Sequence, residues 1–522
     1  YAPEEEPDVR KSLLFKGNII KLHTNSITIK TVNPIPNEGT MWAIEHSGSD
    51  IGGTSAIRSL HQFITSAPKC RQLLLAQRAP ERDLTLQLTQ SYHPTYDPLL
   101  LKAFQAKDYF LLVGPPGTGK TSMALQYMVR EALAKGESIL LMSYTNRAVD
   151  EICGMLSDNA IDYIRIGNEY SCDERYRSHL LIEYIENNPK LTAIRERIMG
   201  THVIVGTTST LQSKSYLFEL KSFSMAIIDE ASQILEPNLV GLLSKLPKFI
   251  LIGDHKQLPA VVQQEVNDSA VHDKRLHDIK LTNCRNSLFE RLIRVEEAAK
   301  RTDFVGVLRV QGRMHPAVAA FPNRMFYFKE CLKPVPLSHQ KETRLHYEQP
   351  SQDTLDDALK AHRMLFIPSK TCHHSQLSDK VNPDEAHIVA ILLGRIYRFY
   401  GNSFDADKTI GVIVPYRNQI AMIRKEIEKL GIKVLEKISI DTVERYQGSQ
   451  RDVIIYSFTV QHRYQLDFLT ANCFEENGHI IDRKLNVAVT RARKQMIITG
   501  NEMVLNQDPI FKELIVSCER VT

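Results

Sequence analysis

The sequence predicts an α/β protein: two tandem parallel-sheet domains, preceded by a small β-barrel and a helical stalk. Three observations carry this. Short apolar runs at 110–113, 139–142, 203–205, 226–228 and 249–252 are separated by helix-sized segments. Such runs mark strands of a parallel sheet covered on both faces. The same rhythm returns after about 303, with runs at 410–414, 438–440, 453–456 and 496–498. Before residue 54 the period is two instead: Ile27 and Ile29 alternate with Thr28 and Lys30, after the turn signal Thr24-Asn25-Ser26.

The chain has 522 residues, room for about three or four domains. Hydrophobic residues at 43% and charged residues at 24% exclude a mainly disordered chain. A net charge of +4 is too small to mark a polybasic nucleic-acid binder by itself. No apolar run approaches the ~18 residues of a membrane span. The acidic start at Tyr1 carries no signal peptide and reads as the beginning of a piece of a longer protein. Eight cysteines without a CxxC pair argue against a zinc ribbon or a disulfide framework, and for a reducing compartment. The expected location is therefore intracellular: cytoplasmic, nucleoid or nuclear. Cys372-His373-His374 lacks a second ligand pair and reads as a polar loop.

In chain order, residues 1–53 form the expected barrel, whose strands are broken by Pro34, Pro36, Asn37 and Gly39. Residues 54–91 form the stalk. There Ile57, Leu60, Phe63 and Ile64 share one helical face, and Pro68 restarts the pattern ahead of Leu73 to Leu75. Residues 92–302 form the first α/β domain and 303–522 the second. The charged stretch 157–200 shows no motif, and 333–383 reads as a loop-rich crossover.

Gly114-Pro115-Pro116-Gly117-Thr118-Gly119-Lys120-Thr121 matches G-x-x-x-x-G-K-[ST] between a strand and the helical segment 122–133. Its glycines let backbone N–H groups curl around phosphate oxygens, and the helix N-terminus adds a favourable dipole. Lys120 places a charge on the β- and γ-phosphates, and Thr121 offers a hydroxyl to Mg²⁺. Asp229 and Glu230 end the apolar run 226–228. Asp229 is the second metal candidate, and Glu230 the group to orient and deprotonate the attacking water. These residues specify a nucleotide hydrolase using ATP and Mg²⁺. They do not say what hydrolysis drives.

Four further strings bear on that. Gly253-Asp254-His255-Lys256-Gln257-Leu258-Pro259 follows the fifth strand, where Gln257 can sense the γ-phosphate. Leu308-Arg309-Val310-Gln311-Gly312-Arg313-Met314-His315-Pro316 opens the second domain. Asp441-Thr442-Val443-Glu444-Arg445-Tyr446-Gln447-Gly448 follows a later strand, and Asn486-Val487-Ala488-Val489-Thr490-Arg491-Ala492-Arg493 lies near the end.

This set, in this order, resembles the superfamily 1 helicases over roughly 92–502, and more narrowly the Upf-like branch, superfamily 1B. The resemblance implies two RecA-like domains. It makes Arg313 and Arg491 arginine fingers and places Gly448 at the nucleotide. It implies single-strand contacts from Thr145, Asn146 and Thr208 in the first domain, and from Tyr416, Arg417 and Thr442 in the second. Short hydroxyl and amide side chains suit sequence-independent contacts to phosphate and sugar, and Tyr416 could stack on a base. Capping of helices is the competing use of Thr and Asn.

Branch membership implies 5′ to 3′ travel on a single strand. DNA is favoured over RNA, because the barrel and linking helices look more like those of the replication helicase-nuclease relatives. An RNA helicase of the same branch and an ATP-gated clamp that does not unwind are the alternatives. The sequence departs from the family at Gly312, where an aromatic is usual, at Gln450, which replaces an acidic residue, and upstream of Gly114, where no adenine-reading Gln stands. Gly312 and the missing Gln imply looser base selection, open to GTP and other nucleotides, with Tyr96 as a substitute for stacking, and Gln450 implies a weaker ribose contact. Pro383-Asp384-Glu385 lacks a partner Lys for nuclease chemistry, so a nuclease would lie outside this chain.

Overall fold

The computed structural model describes residues 17–23, 25–31, 51–345, 347, 349–371 and 378–521. Of the expected barrel, only an antiparallel hairpin falls within them, β1 (Gly17–His23) paired with β2 (Ser26–Thr31). The rest of the barrel and Cys372-His373-His374 lie outside the described residues. Helices α1 (Ile51–Ile64) and α2 (Pro68–Leu74) follow, and Pro68 sits in the first turn of α2, where its missing N–H costs nothing. Of the apolar face read on α1, Ile57 at 70% and Ile64 at 65% are exposed, while Phe63 packs against the core of the first unit. The buried face also carries Ser59, which comes so close to Gly241 that a Cβ there would lie 2.5 Å from the Ser59 carbonyl oxygen. Close backbone contact, rather than apolar interdigitation, sets this face, and periodicity cannot read that.

The first α/β unit opens with α3 (Asp97–Gln105), β3 (Tyr109–Val113), α4 (Gln126–Ala134), β4 (Ile139–Ser143) and α5 (Asn146–Asp158). Strands β5 (Ile164–Ile166), β6 (Val203–Thr207), β7 (Met225–Ile228), β8 (Phe249–Gly253) and β9 (Val305–Val307) complete it. Seven strands lie in the order β5-β6-β4-β7-β8-β3-β9, all parallel. The segment 157–200 contributes β5, an edge strand too short for its period to show. The other edge strand of this sheet, β9, lies beyond 302.

A short parallel pair, β10 (Val310–Gln311) with β11 (Lys333–Pro334), leads into the second unit. Its strands are β12 (Met364–Pro368), β13 (Ile410–Val414), β14 (Ser439–Thr442) and β15 (Arg451–Ser457), then the β16–β17 hairpin (Cys473–Glu476, His479–Asp482), β18 (Ala492–Gly500) and β19 (Glu519–Arg520). The sheet order is β14-β13-β15-β18-β12-β19, again parallel. Within the expected crossover 333–383 lies β12, an interior strand next to the edge strand β19, so that stretch is less loop-rich than its composition indicates. Fully buried apolar strands in both sheets satisfy the two-faced covering read from the sequence.

The two units share their boundary closely. Leu258, on the loop after β8, is buried in the core of the second unit. In open parallel sheets, ligands gather at the carboxyl ends of the strands. Here those ends of β3, β7 and β8 meet the second unit. Among the described residues, no helix is long and apolar enough to cross a membrane.

Candidate active site and adjoining cleft

The loop after β3 is shaped by its glycines. Gly117 and Gly119 both adopt φ +75°, the left-handed region that glycine enters without steric cost. A Cβ at Gly114 would lie 2.1 Å from Lys120 Cγ, so only glycine lets Lys120 fold back over the loop. Thr118 Oγ1 donates to the Pro115 carbonyl at 2.7 Å and rigidifies the turn. Pro116 is buried beside it. Tyr96, offered above as a stacking residue, donates its hydroxyl to the Thr118 carbonyl at 2.9 Å and so braces the loop.

Lys120 Nζ lies 3.3 Å from Glu230 Oε1, and Thr121 Oγ1 donates to Asp229 Oδ2 at 2.6 Å. The acidic pair is held at the end of β7, with Glu230 at φ +54°, a backbone conformation rare for a residue with a Cβ. Burial, and then the adjacent Glu230 charge, push the Asp229 carboxyl up. Burial acts the same way on Glu230, but the Lys120 charge overcomes it and holds that carboxyl below its ordinary range. Lys120, opposed by burial but faced by Glu230, Asp229 and Asp254, stays above its ordinary value. Lys120 thus favours the ionised form of Glu230 over that of Asp229.

The second unit brings two arginines to the same place. The Gly312 N–H donates to the Gly117 carbonyl at 2.8 Å, which ties the glycine loop to the segment bearing Arg313. A Cβ on Gly117 would stand 2.4 Å from Arg313 Cβ. Arg313 Nε donates to Gln450 Oε1 at 2.9 Å and Nη1 to the Thr490 carbonyl at 3.3 Å. Arg491 donates from Nε to the Val487 carbonyl at 3.0 Å and from Nη2 to Gln257 Oε1 at 3.0 Å. Burial pushes Arg313 down to about 10 and Arg491 down to about 9, the latter also because Arg313 is near. The buried Arg491 and the half-buried Arg313, whose charges disfavour one another, make a site for an anion.

Gln257 also donates through Nε2 to Asp254 Oδ2 at 2.7 Å. Asp254 accepts the Tyr327 hydroxyl at 2.6 Å, and Asn486 donates to Tyr327 and to the Lys256 carbonyl. Tyr327 and Asn486 complete this buried network across the two units. Sequence reasoning missed them as site residues, because neither carries a charge or stands at a strand end. Gly448, at φ +83°, lies against Arg147 and Glu151 of α5.

Beside this site runs a cleft of about 990 Å³. Its lining includes Thr145 and Asn146 after β4, Thr207 to Thr210 after β6, and Thr54, Ser55 and Arg58 from α1. Ser55 Oγ donates to Gln212 Oε1 at 3.0 Å and pins α1 there. Tyr144, 40% exposed, stands among these hydroxyls. Thr145 and Thr207 do cap helices, accepting from the N–H groups of Ala148 and Thr210, while Asn146 is exposed and Thr208 buried. The α1 contribution lies some ninety residues before Asn146 and could not be read from linear motifs.

The second-unit candidates do not line this cleft. Arg417 is exposed at the start of the helix Arg417–Glu428, and Thr442 is buried ahead of a short helix. Tyr416 is 8% exposed, and one face of its ring stacks on Phe468, with centroids 5.0 Å apart.

Two family models, each described as an AAA domain, match this chain, one over 97–195 and 189–265 and the other over 284–503. The chain is 29% identical to the DNA replication ATP-dependent helicase/nuclease DNA2 of Xenopus laevis over 86% of its own length and 41% of that protein's. It is 25% identical to DNA2 of Homo sapiens over 96% of its length and 47% of that protein's. It is 24% identical to an ATP-dependent helicase of Methanocaldococcus jannaschii, MJ0104, over 88% of its length and 75% of that protein's. The chain thus spans less than half of the DNA2 relatives it matches. With the glycine loop, the acidic pair, Gln257 and two arginines arranged around one interface, the chain is a relative of the superfamily 1B helicases.

Proposed function

We propose that this chain is the motor of an ATP-driven translocase and helicase that travels 5′ to 3′ on single-stranded DNA. One observation carries the reading: Arg313 of the second unit lies against Gly117 of the glycine loop, and Arg491 of the second unit bonds Gln257 of the first. Hydrolysis at such a site depends on closure between the units, and closure is what a stepping motor needs.

In this reading the backbone of 114–119 and Lys120 hold the triphosphate. Glu230, kept ionised by Lys120, orients the attacking water and accepts its proton. Thr121 Oγ1 and Asp229 Oδ2, 2.6 Å apart, are an oxygen pair suited to a hard divalent cation, and a cation there relieves the like-charge strain on Asp229. Bound Mg²⁺ supplies charge neutralisation on the β- and γ-phosphates. Arg313 and Arg491 stabilise charge building on the γ-phosphate, and Gln257 senses its loss. Gly312 places no ring near the base, which supports tolerance of nucleotides other than ATP.

The hydroxyl- and amide-lined cleft, with Arg58 at its α1 side, suits a sugar–phosphate backbone gripped without regard to sequence. The DNA2 relatives are named as DNA replication helicase/nucleases, which supports DNA as the track. The test is strand displacement on duplexes carrying a 5′ or a 3′ single-stranded tail, of DNA and of RNA. Displacement from the 5′-tailed DNA duplex supports the proposal. Displacement only from 3′ tails, only on RNA, or nowhere despite hydrolysis overturns polarity, track or unwinding respectively.

A further inference from the structure

We infer that Arg147 is a positioning residue that relays single-strand occupancy of the cleft to the two arginines of the nucleotide site, an inference that rests on the helicase reading. Arg147 follows Asn146, a cleft residue, in the first turn of α5. Its Nη2 donates to Ser449 Oγ in the second unit at 2.8 Å, and its Nε lies 3.8 Å from Glu151 Oε1 one turn further along α5. The receiving loop, Gly448-Ser449-Gln450, also holds both arginines. Gln450 Oε1 accepts from Arg313 Nε at 2.9 Å, and the Ser449 carbonyl accepts from Arg491 Nη1 at 3.4 Å.

Gly448 turns the loop at φ +83°, a left-handed conformation that suits glycine. A Cβ there would make ordinary contact with Glu151 Oε1 at 3.5 Å and Arg147 Cζ at 3.8 Å, so the loop backbone lies close to these two side chains. Arg147 therefore joins, by one side chain, the helix that begins at the cleft to the loop that orients the arginines. A hydrogen bond weakens steeply once it is stretched or bent by small displacements. Movement at the start of α5 when a strand enters is thus felt at Gln450 and at the Ser449 carbonyl. Arg147 does not line the cleft and makes no contact with the glycine loop or the acidic pair, so its influence runs through Ser449.

The experiment compares wild type, Arg147→Ala, Ser449→Ala and the double variant. It reads the ratio of hydrolysis rates with and without saturating oligodeoxythymidylate, and the oligonucleotide Kd at several salt concentrations. Arg147→Ala is expected to lower the stimulation ratio by roughly threefold to tenfold, with Kd and its salt dependence unchanged. Ser449→Ala should do the same, and the double variant should fall no further, since both break one bond. Full stimulation in Arg147→Ala, or additive losses in the double variant, overturns the relay. Weaker binding with a flatter salt dependence in Arg147→Ala overturns it in favour of a direct phosphate contact. A wild type that no single strand stimulates overturns the helicase reading and the relay together, a result distinct from a stimulated wild type with an indifferent variant.

Discussion

Arg491 Nη2 donates to Gln257 Oε1 at 3.0 Å across the boundary between the two sheets, while Gln257 Nε2 donates to Asp254 at 2.7 Å. Both ends of this one amide are thereby committed, one to each unit. Gln257 follows β8, and Arg491 immediately precedes β18. A change in the position of Arg491 is therefore a change in the partners of Gln257, and the reverse.

Replacing Arg491 tests this pairing. Arg491→Ala is expected to lower kcat by about 10²–10³-fold with a much smaller effect on KM for ATP, because its charge acts on the transition state. Arg491→Lys should recover little, since a single ammonium cannot serve both Gln257 and a phosphate oxygen. Steady-state kinetics of the three proteins decide it.

Gly117→Ala is expected to abolish hydrolysis while leaving the fold intact. The added Cβ would meet Arg313 Cβ at 2.4 Å, and φ +75° is unfavourable for alanine. The strain falls on the contact between the units rather than inside either core, so circular dichroism should be unchanged while the turnover rate collapses.

Glu476 couples the second unit's β16–β17 hairpin to the loop after β8, through Lys256 at 2.8 Å and His255 at 3.3 Å. Burial alone would raise its carboxyl, but His255 and Lys256 outweigh burial and hold it well below the ordinary range. A depressed folded-state value stabilises the fold above the unfolded pKa, about 4.3, and that stability is lost as pH falls below it. Glu476→Gln should therefore cost about 1–3 kcal/mol near pH 7, since Lys256 keeps Glu330 and the Phe326 carbonyl. The gap in thermal midpoint from wild type should shrink as pH is lowered from 6 toward 3.

Tyr416→Phe is expected to bind single strands as wild type does, and Tyr416→Ala to lower stability by about 3–5 kcal/mol through the lost stack on Phe468. A specific loss of strand affinity in Tyr416→Phe, with unchanged thermal midpoint, would restore the base-contact role. Arg58→Ala should instead weaken strand binding across all sequences and flatten its salt dependence by about one phosphate contact.

The nucleotide half of the site was legible because its residues lie in strings whose spacing is itself the mechanism: Lys120 must follow Gly119, and Asp229 must end a buried strand. Arg313 and Arg491 became legible only through family resemblance, since nothing local distinguishes a finger from a surface arginine. The cleft was half legible. Asn146 and Thr208 follow strands of one sheet, but Arg58 reaches the same cleft only because Ser59 packs against Gly241, a contact between distant segments. The Tyr416–Phe468 stack was not legible, because an aromatic after a strand looks the same whether its face meets a base or another ring. Strands β5 and β9 have three residues each and are too short for any period to register.

The most direct measurement of the central claim is steady-state ATP hydrolysis with no nucleic acid, with single-stranded DNA, and with single-stranded RNA of matched length. Strong stimulation by DNA, abolished in Lys120→Ala, is the predicted result. Hydrolysis that neither polymer alters would contradict a motor coupled to a track, and would mark the chain as a nucleotide-gated clamp instead.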